Sequence, residues 1–111
     1  MSPQHKKLAD GQWSELAFFV QMGHIGGEVE RALNWRSKGN ADYCRKAFER
    51  ALELTDLTLE SVGARFAALK ELARLREALV DDFAGTNEYQ STETAWRKYF
   101  SFFTNAARKN H

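Results

Sequence analysis

The chain has 111 residues, 43% of them hydrophobic and 28% charged, which suits one domain with one core and an ordinary soluble surface. A formal net charge of +1 gives no global field of either sign, which disfavours a dedicated nucleic-acid binder and leaves only local basic patches. One cysteine, Cys44, rules out an internal disulfide and a cysteine-rich zinc site, and no apolar run of about 18 residues is present to span a membrane.

Residues 1–12 (MSPQHKKLADGQ) hold the only proline, Pro3, and no apolar run of the signal-peptide kind. They read as a flexible N-terminal tail, and 13–111 as a single helical-bundle domain. A lone cysteine and no leader suit the cytoplasm. The first predicted helix runs from Trp13 to about Ser37. At 100° per residue, Phe18, Met22, Ile25, Val29 and Leu33 form a core stripe. Trp13, Ala17, Val20, His24, Arg31 and Trp35 gather on a second, nearly opposite stripe, where a surface helix should be polar. That stripe is expected to be covered, and Trp13, His24, Arg31 and Trp35 are the expected interface residues. Gly23, Gly26 and Gly27 interrupt the same helix, each costing roughly 1 kcal/mol relative to alanine. They imply close packing, a kink, or backbone exposed to a ligand.

Gly39 and Asn40 predict a left-handed helix end and the cap of the next helix. The second helix is expected over about 41–59, with Cys44, Ala47, Phe48, Ala51, Leu54 and Thr55 inward. Ser61 is read as the cap of a third helix over about 62–84, with Val62, Phe66, Leu69, Leu72, Ala73, Leu79, Val80 and Phe83 as its stripe and Gly85 as its end. A loop through Asn87, Glu88 and Tyr89 follows. The fourth helix, about 92–109, is capped by Ser91 or Thr92 and packs Trp96, Tyr99, Phe100, Phe103, Ala106 and Ala107. Four helices with mostly short connections predict an all-α, up-and-down antiparallel four-helix bundle.

Arg76 falls on the third helix's apolar stripe, where a guanidinium needs acceptors. Glu28, Glu88 or helix-end carbonyls are the expected partners. Glu28, Arg76, Glu77, Asn87, Glu88 and Tyr89 together form the expected polar or ligand site. His24 and Glu28 stand at i, i+4, but Gln21 breaks the Glu-x-x-His spacing of di-iron bundles, so no metal or other cofactor is expected. No nucleophile constellation is present, so no catalytic residue is assigned.

The run from Lys38 to Leu54 resembles half of a tetratricopeptide repeat through Gly39, Cys44, Phe48, Ala51 and Leu54, but a single copy has no neighbouring repeat to bury its face. Residues 15–19, 23–32, 75–77 and 87–89 together resemble a family of small uncharacterised bacterial four-helix proteins, a resemblance that implies the bundle fold and no specific activity. In size and layout the bundle is also similar to HEPN domains, many of which act on RNA. Their catalytic arginine is absent here, since Ala17, Phe18 and Phe19 stand where it would precede His24. The expected function is therefore a non-enzymatic interaction protein, paired as a homodimer or with another protein. An RNA-associated bundle using Arg45, Lys46, Arg50, Arg97, Lys98, Arg108 and Lys109, or an anion site at Arg76, are the alternatives.

Overall fold

Trp13 decides how the chain enters the bundle. A computed structural model describes residues 12–109. Of the tail expected over 1–12, all but Gln12 lies outside the described residues. Trp13–Glu15 form a short 3-10 turn, and Leu16 and Ala17 are extended, with ψ of 144° and 149°. The first long helix, α1, therefore spans Phe18–Ser37 rather than starting at Trp13. This break carries the Trp13 indole into the core. Its Nε1 donates to Thr58 Oγ1 at 3.0 Å, and its carbonyl accepts from Gln21 Nε2 at 2.9 Å. Burying so large a ring outweighs the helical hydrogen bonds that a straight entry would add.

The turn after α1 follows the sequence closely. Gly39 takes φ of 76°, and Asn40 Oδ1 accepts from the Tyr43 amide at 3.0 Å. The second helix, α2, spans Ala41–Val62 and so runs past the expected end. Gly63, at φ of 58°, turns the chain instead. Ser61 is thus not a cap: it stays in α2, where its hydroxyl accepts from Gln21 Nε2 at 2.9 Å. The third helix, α3, spans Phe66–Ala84 and buries Leu72, Leu75 and Leu79. Two members of the expected stripe, Phe66 and Ala73, face solvent, and Val62 belongs to α2. The fourth helix, α4, spans Glu93–Lys109 and buries Trp96, Phe100 and Phe103. Thr92 Oγ1 accepts from the Ala95 amide, the expected cap.

Cross-helix pairs fix the direction of each helix. Gln21 meets Ser61, Glu28 meets Arg50 and Trp35 meets Tyr43, so α1 and α2 are antiparallel. Phe48–Phe83 and Asp56–Arg76 do the same for α2 and α3. Phe18–Phe103 and Glu30–Arg97 set α4 against α1. The result is the up-and-down four-helix bundle, with α1 packed closely between α2 and α4. The α3 and α4 backbones stay further apart. Long side chains bridge them: Tyr99 Oη donates to Glu71 Oε1 at 2.5 Å, and Trp96 Nε1 to Asp82 Oδ2 at 2.7 Å. Burial and the Glu71 acceptor push the Tyr99 phenol far above its ordinary pKa.

Candidate functional site

The glycines of α1 divide by face. Gly26 points at α4, and a Cβ built there would lie 2.8 Å from both Cβ and Cγ of Phe100. Only glycine admits that ring. At Gly23 and Gly27 an added Cβ would meet nothing within 4 Å. These two stand at i, i+4 on one helical face. Beside them a hollow of about 390 Å³ opens between α1 and α4, with Val29, Leu33, Trp96 and Phe100 among its apolar lining and Glu30, Arg97 and Arg108 among its polar residues.

One turn before Gly23, Phe19 begins an aromatic cluster. Its ring meets Phe102 at 6.4 Å and Phe103 at 5.9 Å, and Phe18 meets Phe103 edge-on. Phe103 is buried, Phe18 and Phe19 are partly buried, and Phe102 is 63% exposed. The projecting Phe102 ring thus sits on Phe19, one turn from Gly23, while the hollow beyond it, which Phe102 does not line, has bare backbone at Gly23 and Gly27.

The second stripe expected on the first helix resolves into pieces covered in different ways. Trp13 is 2% exposed and packs within the chain, with the His24 ring 5.6 Å away, so it offers no anchor to a partner. Trp35 is half-buried under Tyr43 and Lys38, with the Tyr43 ring at 4.8 Å. His24 and Arg31 are exposed. Arg31 nevertheless pairs with Glu28, the carboxylate that also accepts from Arg50 Nε at 2.6 Å.

Glu28 is therefore not part of the expected polar site. It is buried between α1 and α2, and its partners are Arg50 and Arg31 rather than Arg76. Arg76 is not buried on an apolar stripe either. It lies at the α2–α3 edge and donates to Asp56 Oδ1 at 2.8 Å, both side chains being about half exposed, at 43% and 51%. The arginine sits 100° round from Leu75, so the buried side of α3 passes beside it. The Asp56 hydrogen bond raises the pKa of Arg76 still further.

The other members of that expected site do meet. Arg76, Glu77, Asp81, Glu88 and Tyr89 line one shallow concavity. Asp81, which the expected polar site did not include, organises it by accepting from the Glu88 and Tyr89 amides at 2.8 and 3.0 Å. Asn87, at φ of 57°, bonds both the carbonyl and the amide of Ser91 through its side chain. The Tyr89 hydroxyl reaches Glu77 Oε2 at 3.4 Å, and the neighbouring carboxylates raise its pKa. These bonds tie the loop to α3 through the Glu88 and Tyr89 amides and the Asn87 side chain.

Among the described residues no cluster of His, Cys, Asp or Glu side chains could hold a metal ion, and no helix is long and apolar enough to cross a membrane. The basic residues do not form one patch. Arg50 pairs with Glu28, Arg97 with Glu30 and Glu93, and Arg45 with Asp42. Comparison with protein-family models, curated proteins and solved structures finds no match.

Proposed function

We propose that this chain is a non-enzymatic interaction protein that pairs with a second copy of itself through the open flank of α1 and the aromatic cluster beside it. The observation that carries the reading is the contrast among the three glycines. Each costs α1 roughly 1 kcal/mol relative to alanine, and packing among the described residues requires only Gly26. Gly23 and Gly27 suit a body that comes close to the helix from outside.

A second copy fits that body for two reasons. Phe102 packs on Phe19, one turn before Gly23, and projects outside the hollow rather than lining it, so a two-fold axis can bring each ring to the other copy's hollow. Such reciprocal contact is what an isologous interface demands. The hollow's polar residues also carry both signs, in Glu30, Arg97 and Arg108, and a net charge of +1 sets little repulsion between copies.

Sedimentation over a range of concentrations tests the reading. The wild type is expected to dimerise. Phe102→Ser is expected to be monomeric with an unchanged helical spectrum and a thermal midpoint that, unlike the wild type's, does not rise with protein concentration. A wild type that stays monomeric, or a dimer untouched by Phe102→Ser, would overturn it.

A further inference from the structure

At the opposite end of the bundle from Phe102, the ends of α1 and α3 and the start of α2 enclose a different pocket of about 460 Å³. That volume lies within the range of small-molecule sites. Phe48, Phe83, Cys44, Ala41 and Ala84 give it apolar walls, and Arg36 and Arg45 are its only charged lining residues. No carboxylate lines it.

Arg36 is held in place on two sides. Its Nη1 donates to Asp82 Oδ1 at 2.9 Å, and its guanidinium carbon stands 4.5 Å from the centre of the Phe83 ring. Asp82 is itself buried and also accepts from Trp96 Nε1. The chain Trp96–Asp82–Arg36–Phe83 thus fixes the guanidinium while committing only one of its nitrogens. A guanidinium carries five N–H donors in a planar fork matched to a carboxylate. Phe48 and Phe83 stack nearly parallel, 22° apart with centroids at 5.5 Å, so they turn their faces to one another and to Arg36, and their rims form the apolar wall beside it. A pre-set arginine next to an aromatic wall recognises a flat body bearing one negative charge.

We propose that this pocket binds a small aromatic carboxylate, its ring against the Phe48–Phe83 pair and its carboxylate on Arg36. Arg36 already shares its charge with Asp82, and Arg45 pairs with Asp42, so the pocket suits a single negative charge better than a phosphate dianion. Binding here leaves the open flank of α1 free, so the proposal stands apart from self-association.

Cys44 provides the readout. It is the only cysteine and lines the pocket, so an occupant shields its thiol from iodoacetamide. The probes are 2-naphthoate and its neutral twin, 2-naphthamide. Naphthoate is expected to slow Cys44 alkylation saturably, with an affinity at least about tenfold above that of the amide, as a charge-assisted bond implies. Arg36→Gln is expected to remove that preference; it also takes away a charge that favours the Cys44 thiolate, so the unliganded thiol reacts more slowly and protection is read against each variant's own unliganded rate. Ala41→Leu fills the pocket from an exposed position that touches neither Asp82 nor Trp96, and is expected to abolish protection by both probes. Absence of protection at millimolar naphthoate would overturn the proposal. So would equal affinity for acid and amide in the wild type. If Arg36→Gln unfolds the chain, persistent protection in Ala41→Leu would overturn it instead.

Discussion

Where α1 meets α4, Gly26 lies beneath Phe100 with no room for a methyl group, whereas on the outer flank Gly23 and Gly27 face open space. The covered flanks of α1 are closely matched: Glu28 has two arginines, Gln21 Nε2 spans from Trp13 to Ser61 while its Oε1 is buried unpaired, and Phe100 fills the notch at Gly26. The open flank carries the same helix-weakening residue type with no internal return. The same glycine is thus a packing device on one face and a vacancy on the next. Only position about the helix axis separates the two.

Four substitutions sharpen or break that contrast. The largest effect belongs to Glu28→Ala, which removes the buried carboxylate that Arg31 and Arg50 share at the α1–α2 seam and is expected to cost about 3 kcal/mol in chemical denaturation. A loss below half of that would mean the covered flank is less committed than its geometry implies. Next comes Gly26→Ala. Overpacking against Phe100 costs about 1–3 kcal/mol and helix propensity returns about 1, so a net loss near 1 kcal/mol is expected.

Gly27→Ala should reverse the sign. The monomer is expected to gain up to about 1 kcal/mol in its thermal or urea unfolding, while association weakens. A gain with association unchanged would break the comparison, since the open flank would then have no partner to please. The smallest effect is expected for Arg76→Met. Its pair with Asp56 is half-exposed, so the loss should stay under about 1 kcal/mol.

Much of the architecture was legible in the sequence because it was written locally. The caps at Asn40 and Thr92, the glycine turn at Gly39 and the aromatic stripe of α4 are all short-range signals, and the structure follows them. The misreadings share a different cause. Trp13 leaves the helical path for a hydroxyl on Thr58, a partner distant in sequence, and nothing in Leu16-Ala17 marks the break. Val62 is buried at the end of α2, and an apolar residue there fits either neighbouring helix equally well.

The expected polar site failed in part for the same reason. Arg76 and Leu75 are adjacent, and which of them faces inward depends on how α3 is rolled against α2. Glu28 chose Arg50, a choice that required the α1–α2 register. The glycine penalty in α1 was countable from the sequence, but the division between Gly26 and the other two appears only once α4 lies in place. Asp82 shows the same limit: its links to Arg36 and Trp96 join three helices, and no local pattern announces them.

The central claim is that the open flank of α1 receives Phe102 from a second copy. Isotope-filtered nuclear Overhauser measurements on a mixture of labelled and unlabelled chains test it directly. The account predicts contacts between the Phe102 ring protons of one copy and the Hα protons of Gly23 and Gly27 in the other. A dimer whose intermolecular contacts all fall elsewhere, or a mixture with none at millimolar protein, would contradict it.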